Sequence, residues 1–428
     1  MREMKDSGIE WIGEIPADWT IKRVKHIFTR KNEKVMQENP TILSLARDGI
    51  KVRDISNNEG QIAESYYNYN PVEEGDLLLN PMDLYSGANC SISKVQGVIS
   101  PAYINLKANA GVNPAFYDYY FKVQYWLMAF FSYGKGVSYD NRWTLSAETL
   151  MNYPVVALSY GEQQRIADYL DRKCSQIDAI IARQQEVIEK LKAYKLSVIT
   201  ETVTKGLNPN VPMKDSEVDF IGSIPETWRI CRLRNIGTLQ NGISKGGEFF
   251  GHGFPFVSYS DVYRNFSLPV QVVGLIDSSD AERINYSVEP GDIFFTRTSE
   301  TIEEVGFSSV CEETIPDATF AGFLIRVRPF TDDLVPKFTK YYFRSNHHRY
   351  YLVKQMNLVT RASLGQDLLK SMPVLVPPKD EQISITTYLD KKCGAIESSI
   401  EYKQRVIERL TAYKKSLIYE VVTGKKEV

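Results

Sequence analysis

Two long stretches of the chain carry apolar residues at alternating four- and three-residue steps. In the first, Leu170, Cys174, Ile177, Ile181, Ile188, Leu191 and Val198 fall on one stripe, with Gln184 and Lys195 in the gaps. In the second, Leu389, Cys393, Ile396, Ile400, Ile407, Leu410 and Leu417 do the same, with Lys403 and Lys414 in the gaps. Glu162 to Thr204 contains no Pro or Gly, and Glu381 to Thr423 contains only Gly394. A heptad kept this long predicts a coiled-coil seam. At about 1.5 Å per residue, each helix is roughly 65 Å long. Elsewhere the pattern is that of short strands: KVRDISN, DLLLNPMDL, VQVVGLID, GDIFFTRTS and GFLIRVRP are rich in β-branched and aromatic residues and bounded by Gly, Pro or Asn. Each β-rich region closes on an aromatic helical stretch, from Phe116 and from Lys337.

The pattern occurs twice because the sequence does. DSGIEWIGEIPADW, from Asp6, returns as DSEVDFIGSIPETW, from Asp215. YPVVALSYGEQQRIADYLDRKC, from Tyr153, matches MPVLVPPKDEQISITTYLDKKC, from Met372. Weaker echoes lie between, VEEGDLLL against VEPGDIFF and YYFK against YYFR. The offset grows from 209 (215 − 6) to 219 (372 − 153), so the second middle is ten residues longer and mostly different. The chain is two copies of one unit with fixed ends and a variable middle. An antiparallel pairing of the two helices closes this connectivity without a long crossover and brings Met1 close to Val428. Gly13 with Pro16, and Gly222 with Pro225, suit a fixed turn, and Trp19 and Trp228 suit anchors between each middle and the scaffold.

The predicted fold is mixed α/β (α+β), with two β-rich domains joined by two antiparallel helices in a pseudo-two-fold repeat. Its boundaries are 1–155, first domain; 156–205, first spacer helix; 206–374, second domain; and 375–428, second spacer helix.

Composition changes this picture little. At 428 residues, 43% hydrophobic and with a net charge of −2, the chain is long enough for two cores and is not held to a polyanion by bulk charge. Five cysteines form no CxxC pair, so neither a zinc site nor a disulfide framework is expected, and a reducing cytoplasm is the simplest location. No apolar run is long enough for a membrane span. No phosphate loop, GxGxxG, HExxH or GxSxG is present. The adjacent pair His347–His348 lacks the i, i+4 spacing of two helix-borne ligands. LLNPMDL, from Leu77, lacks the second proline and the aromatic of an amino-methyltransferase loop. No catalytic residue, metal or cofactor is expected in this chain.

IGxIPxxW in both copies, the Pro-x7-Glu-Gln lead into each helix (Pro154 to Glu162–Gln163, Pro373 to Glu381–Gln382) and two divergent middles resemble the DNA-specificity (S) subunit of Type I restriction–modification enzymes. The resemblance spans nearly the whole chain. It implies that each middle is a target-recognition domain reading one half of a split, asymmetric site on double-stranded DNA. The helices would be the ruler between them, a coiled-coil and subunit scaffold built on Leu170, Ile177, Ile181, Ile188, Leu191, Leu389, Ile396, Ile400, Ile407 and Leu410. It further implies two methyltransferase subunits as partners, with restriction/translocase subunits able to join. S-adenosylmethionine, ATP and Mg would belong to those partners. A stand-alone DNA-binding regulator and a coiled-coil adaptor that never touches DNA are the competing readings.

Candidate DNA contacts are basic or polar residues on loops. From Lys337 to Gln366 there are six Lys/Arg and no acid, which includes Arg344, Arg349 and Arg361 and suggests a phosphate-facing strip or a solvated helix face. GKGVSYDNRW puts Lys135, Tyr139 and Arg142 on a Gly-punctuated loop. Arg142 and Arg361 hold equivalent places, for a shared phosphate contact or for a salt bridge inside each domain. Lys245, the loop of Tyr85, Ser86 and Asn89, and the strand end of Arg297 and Ser299 complete the set, each with plain surface as the alternative.

Overall fold

The computed structural model describes residues 2–34, 36, 40–46, 49–54, 65–82, 84, 89–136, 143–299, 305–355 and 362–428. It divides into two compact units, Met1–Gln184 with Arg405–Val428, and Gln185–Gln404. The first long helix spans Tyr160–Lys205 and the second Lys379–Val422, so each unit owns part of both. The helices start a few residues later than the predicted spacer boundaries. Pro154–Ala157 and Pro373–Val376 are strands instead, paired antiparallel with Thr20–Arg23 and Arg229–Arg232. Proline and β-branched residues explain this, since they give up a helical first turn for an extended pairing.

In the first unit the central sheet is antiparallel, in the order Phe28–Lys31, Ile104–Ala108, Leu77–Leu79, Cys90–Ile92. The aromatic helix Pro114–Trp126 packs on it, with Phe116, Tyr117, Tyr120 and Phe121 fully buried. The core continues into the long helices through Leu170, Cys174 and Ile177 on one and Leu417, Ile418, Val421 and Val422 on the other.

The second unit repeats the sheet as Gly237–Asn241, Leu324–Pro329, Ile293–Thr296, Ser308–Val310. Its aromatic segment is broken into Pro336–Tyr342 and Asn346–Gln355, and its core takes Val198, Ile199, Val203, Ile385, Leu389 and Cys393 from the long helices. Of VQVVGLID only Leu275–Ile276 is a strand; Val270 and Val273 point to solvent. The weak sequence echo has a structural role. Asp76 and Asp292, in VEEGD and VEPGD, each accept the backbone N–H of the glutamate three residues earlier, at 2.8 and 2.9 Å. Each buried carboxylate also holds a half-buried cation from the same sheet, Lys31 at 2.8 Å and Arg328 at 2.6 Å.

The helix segments run antiparallel in each unit. In the first, Glu162 lies by the end of the second helix and Asp178 pairs with Lys414 at 2.6 Å. In the second, Lys195 pairs with Glu397 while Gly206 meets Glu381. Lys195 and Lys414, two of the lysines that interrupt the heptads, are thus each neutralised from the facing helix, at equivalent places. The seam residues Leu170, Ile177, Ile188, Leu389 and Ile396 are buried, and Ile181, Leu191, Ile400, Ile407 and Leu410 are half-buried. Cys174 and Cys393 are free thiols inside the two cores. Met1 lies outside the described residues, but its neighbour Arg2 lines the same small polar cavity of 470 Å³ as Glu427.

Candidate nucleic-acid interface

The opening motif forms a hairpin in each unit, Met4–Asp6 with Glu14–Pro16 and Met213–Asp215 with Ser223–Pro225. It delivers a tryptophan to the start of a long helix. The Trp19 indole, fully buried, donates to Glu162 Oε2 at 3.1 Å, and that of Trp228 donates to Glu381 Oε2 at 2.9 Å. The next residue of each Glu-Gln pair faces the domain. Gln163 accepts the N–H of Asn113, and Gln382 that of Val335, both at 2.8 Å. About two turns further, Asp171 accepts the Tyr119 hydroxyl and Asp390 that of Tyr341, both at 2.7 Å.

The end of the opposite helix closes the site. Gly206 and Gly424 adopt φ of +74° and +75°, beside Trp228 and Trp19 respectively. A side chain at Gly206 would sit 2.6 Å from Glu381, and the left-handed backbone alone disfavours any other residue there. Sequence reasoning noted the Glu-Gln repeat but missed its meaning. The signal was present: each repeat carries a tryptophan in its opening motif and a Glu-Gln pair at the head of its long helix.

This clamp fixes how each domain is carried, and the central sheet fixes what it offers. In the second unit the register pairs Asn241 with Ile325, Thr296 with Leu324, and Phe295 with Ser308. Loops after Asn241, after Thr296 and before Leu324 therefore all leave one end of the sheet. Thr298 and Ser299 pair with Ser363 and Ala362 across that end, and Leu364 N–H donates to Arg297 O at 2.7 Å. The first unit has the same arrangement, with Leu145 N–H donating to Pro81 O at 2.9 Å and Leu84 N–H to Trp143 O at 3.1 Å. Loops separated by about sixty residues in sequence are thus sewn together at one sheet end in both units.

The nominated residues divide accordingly. Arg297 is half-exposed at this end, and Ser299 contributes its backbone to the pairing. Lys135 is exposed, with its backbone paired to Thr144 at 2.8 and 2.9 Å. Tyr85, Ser86, Tyr139, Arg142 and Arg361 lie outside the described residues. Asn89 is half-buried and structural, donating to Ala46 O at 2.6 Å and accepting from Cys90 N–H at 2.8 Å. Lys245 is held by Glu282 at 2.8 Å and by Asp277 O at 2.7 Å. That lysine and the Ser279 N–H keep the Glu282 carboxyl down at about 2.

Arg344 is the clear correction. It is buried and donates to four carbonyls: Ser308 at 2.5 Å, Val262 at 2.7 Å, Tyr263 at 3.0 Å and Asn265 at 2.8 Å. Its guanidinium lies over Phe266 and Phe307, and burial, with Arg349 nearby, pushes its pKa down to about 10. Arg349 donates to Val305 O and also covers Phe307. Lys340 pairs with Asp390 at 3.0 Å. The basic run is therefore not one phosphate-facing strip: a helix break turns Arg344 inward, where it ties the C-terminal turn of the short helix Tyr259–Arg264 and its cap Asn265 to the sheet. Arg344→Ala is expected to lower stability by about 3 kcal/mol or more, because the backbone carbonyls it satisfies stay buried without their donor. Urea unfolding of the variant checks this; a stable variant with weakened DNA binding would restore the phosphate role.

Two antiparallel helices carrying two sheet-end loop clusters through matched clamps define a class: the fold is that of Type I restriction–modification S subunits. The chain is similar over 96% of its length to a chain in a structure of complex assembly and conformational transition in the type I R-M system, covering 99% of that chain, with a TM-score of 0.71 and 16% identity. It is also similar to the HsdS subunit from Thermoanaerobacter tengcongensis, with a TM-score of 0.50, 15% identity and coverage of 96% and 98%. Among curated relatives, it is 21% identical to the Type I restriction enzyme EcoKI specificity subunit of Escherichia coli (strain K12), over 96% of this chain and 90% of that protein. It is 22% identical to the MjaVIII specificity subunit of Methanocaldococcus jannaschii, over 97% and 94%. No protein-family model matches the chain.

Proposed function

We propose that this protein is the non-catalytic DNA-recognition subunit of a Type I restriction–modification complex. It reads a bipartite, asymmetric target with its two sheet-end loop clusters and scaffolds methyltransferase subunits, and where present restriction subunits, on its long helices. The observation that carries the reading is the contrast within the repeat. The Trp–Glu, Gln–backbone and Tyr–Asp clamps are the same in both units, whereas the loops at the sheet ends differ in sequence and length. A scaffold that repeats while its loops diverge suits two readers of two different half-sites, because base identity is read by side chains at groove edges. S-adenosylmethionine, ATP and Mg are assigned to the partners.

The test is reconstitution with Type I methyltransferase subunits, followed by mapping of methylated positions in genomic DNA. The expected outcome is one split, non-palindromic motif. The purified chain alone should bind that motif far more weakly than the complex. Tight, specific binding by the chain alone would favour a stand-alone regulator, and a complex that leaves DNA unmodified and unbound would favour an adaptor.

A further inference from the structure

We infer that Phe323 is a base-reading residue of the second unit and that it contacts the C5-methyl group of a thymine in the major groove. The inference rests on the proposed DNA-recognition role. Phe323 is 64% exposed, although the next residue, Leu324, and Phe320, three places earlier, are fully buried. It sits on the turn that leads into the strand Leu324–Pro329, at the sheet end where the other loops gather.

That turn is held on every side. Ala321 N–H donates to Val257 O at 3.0 Å, Gly322 N–H to Ile243 O at 2.7 Å, and Leu324 N–H to Ala321 O at 2.9 Å. The carbonyl of Phe323 itself accepts the N–H of Arg297 at 2.9 Å, so the ring and the half-exposed arginine are presented side by side. Asn241 and Gln366, joined by a 3.0 Å side-chain hydrogen bond, stand at the same end. A large apolar ring on a rigid, polar rim has no folding role to explain its exposure. It does match what major-groove readout uses, where a hydrophobic side chain meets the thymine methyl while neighbouring polar groups meet base edges and phosphates.

The first unit makes the same turn without the ring. Leu79 pairs with Ile104 as Phe295 pairs with Ile325, so the residue two places before the paired one is Ala102 in the first unit and Phe323 in the second. Ala102 is exposed as well. The scaffold is thus common to both units and the side chain it displays is not. That asymmetry is expected of a position that helps distinguish two half-sites.

The experiment uses the reconstituted complex and duplexes carrying its mapped motif, with each thymine replaced in turn by uracil, which lacks only the methyl group. For the wild-type complex, uracil at one position of one half-site should weaken binding about fourfold, the value of one apolar carbon removed from contact. Phe323→Ala should bind the thymine duplex as weakly as wild type binds the uracil duplex, and should no longer discriminate between them. Phe323→Leu should keep part of the discrimination. Sensitivity to uracil elsewhere in the motif should be unchanged by either substitution.

A wild-type complex indifferent to uracil at every position overturns the inference. So does a Phe323→Ala complex that keeps full discrimination. Loss of affinity in Phe323→Ala with no thymine dependence overturns it too, and points instead to a ring wedged between base steps. If the complex bound no specific DNA at all, the recognition role itself would fall, a result distinct from these three.

Discussion

Replacing Trp228 with alanine is expected to cost the second unit about 3–5 kcal/mol, the usual penalty for truncating a fully buried large aromatic. The ring is completely enclosed and meets Gly206 at the end of the first long helix. Its indole N–H donates to Glu381, so the truncation also removes a donor from a carboxylate at the clamp. The equivalent change at Trp19 should cost less. Glu162 keeps a salt bridge to Arg2, which itself also pairs with Asp18, whereas the place of Arg2 in the second unit (2 + 209 = 211) is held by Val211. Urea unfolding of both variants measures the two losses, and Trp228→Phe, which keeps most of the volume and drops the N–H, separates packing from hydrogen bonding. Equal losses for Trp19→Ala and Trp228→Ala would mean that Arg2 contributes nothing to the first clamp.

Acid should destabilise the second unit through His348. Its ring is buried beside Tyr342, at 4.3 Å between centroids, and Phe343, with Nδ1 3.0 Å from Ser345 Oγ. Burial, and secondarily His347, pushes its pKa down to about 3 from the ordinary 6.5. The folded value lies below the unfolded one, so the unfolded chain takes up the proton first. Stability from the neutral ring is therefore complete above pH 6.5 and is lost as the pH falls toward 3. At about 1.4 kcal/mol per pH unit, the loss between pH 6.5 and 4.5 is roughly 2–3 kcal/mol. His347, half-buried and also shifted down by burial, adds in the same direction. The double comparison is wild type against His348→Gln, which preserves a polar partner for Ser345 and does not titrate. Between pH 7 and 4.5 the variant should lose about 2–3 kcal/mol less than wild type. Parallel stability curves for the two proteins would show that His348 is not buried neutral.

Much of the architecture was legible in the sequence because it is local and repeated. The heptads, with Lys195 and Lys414 in their gaps, specify the helices and their seam; the two IGxIPxxW motifs specify a turn and an anchor, and Gly13 and Gly222 do adopt the left-handed backbone that the turn requires. Periodicity survives in sequence because each residue's environment is set by neighbours three or four places away. Helix starts were less legible. Pro154–Ala157 and Pro373–Val376 pair with strands more than a hundred residues distant, and no local pattern announces such a partner.

The candidate site divides along the same line. That its loops would be rich in polar and basic residues could be read from composition. Which of them face outward could not: Arg344 and Lys340 read alike in the basic run, yet one is turned inward onto four carbonyls by a break between two helices and the other is tied to Asp390. Nor could sequence single out Phe323, since its exposure comes from hydrogen bonds to Val257, Ile243 and Arg297, all remote along the chain. What the sequence determined by itself was a frame used twice, because repetition and short-range periodicity are written residue by residue. What only the tertiary structure decided was which side chains the frame presents, because exposure at a sheet end depends on strands and loops that meet only once the chain has folded.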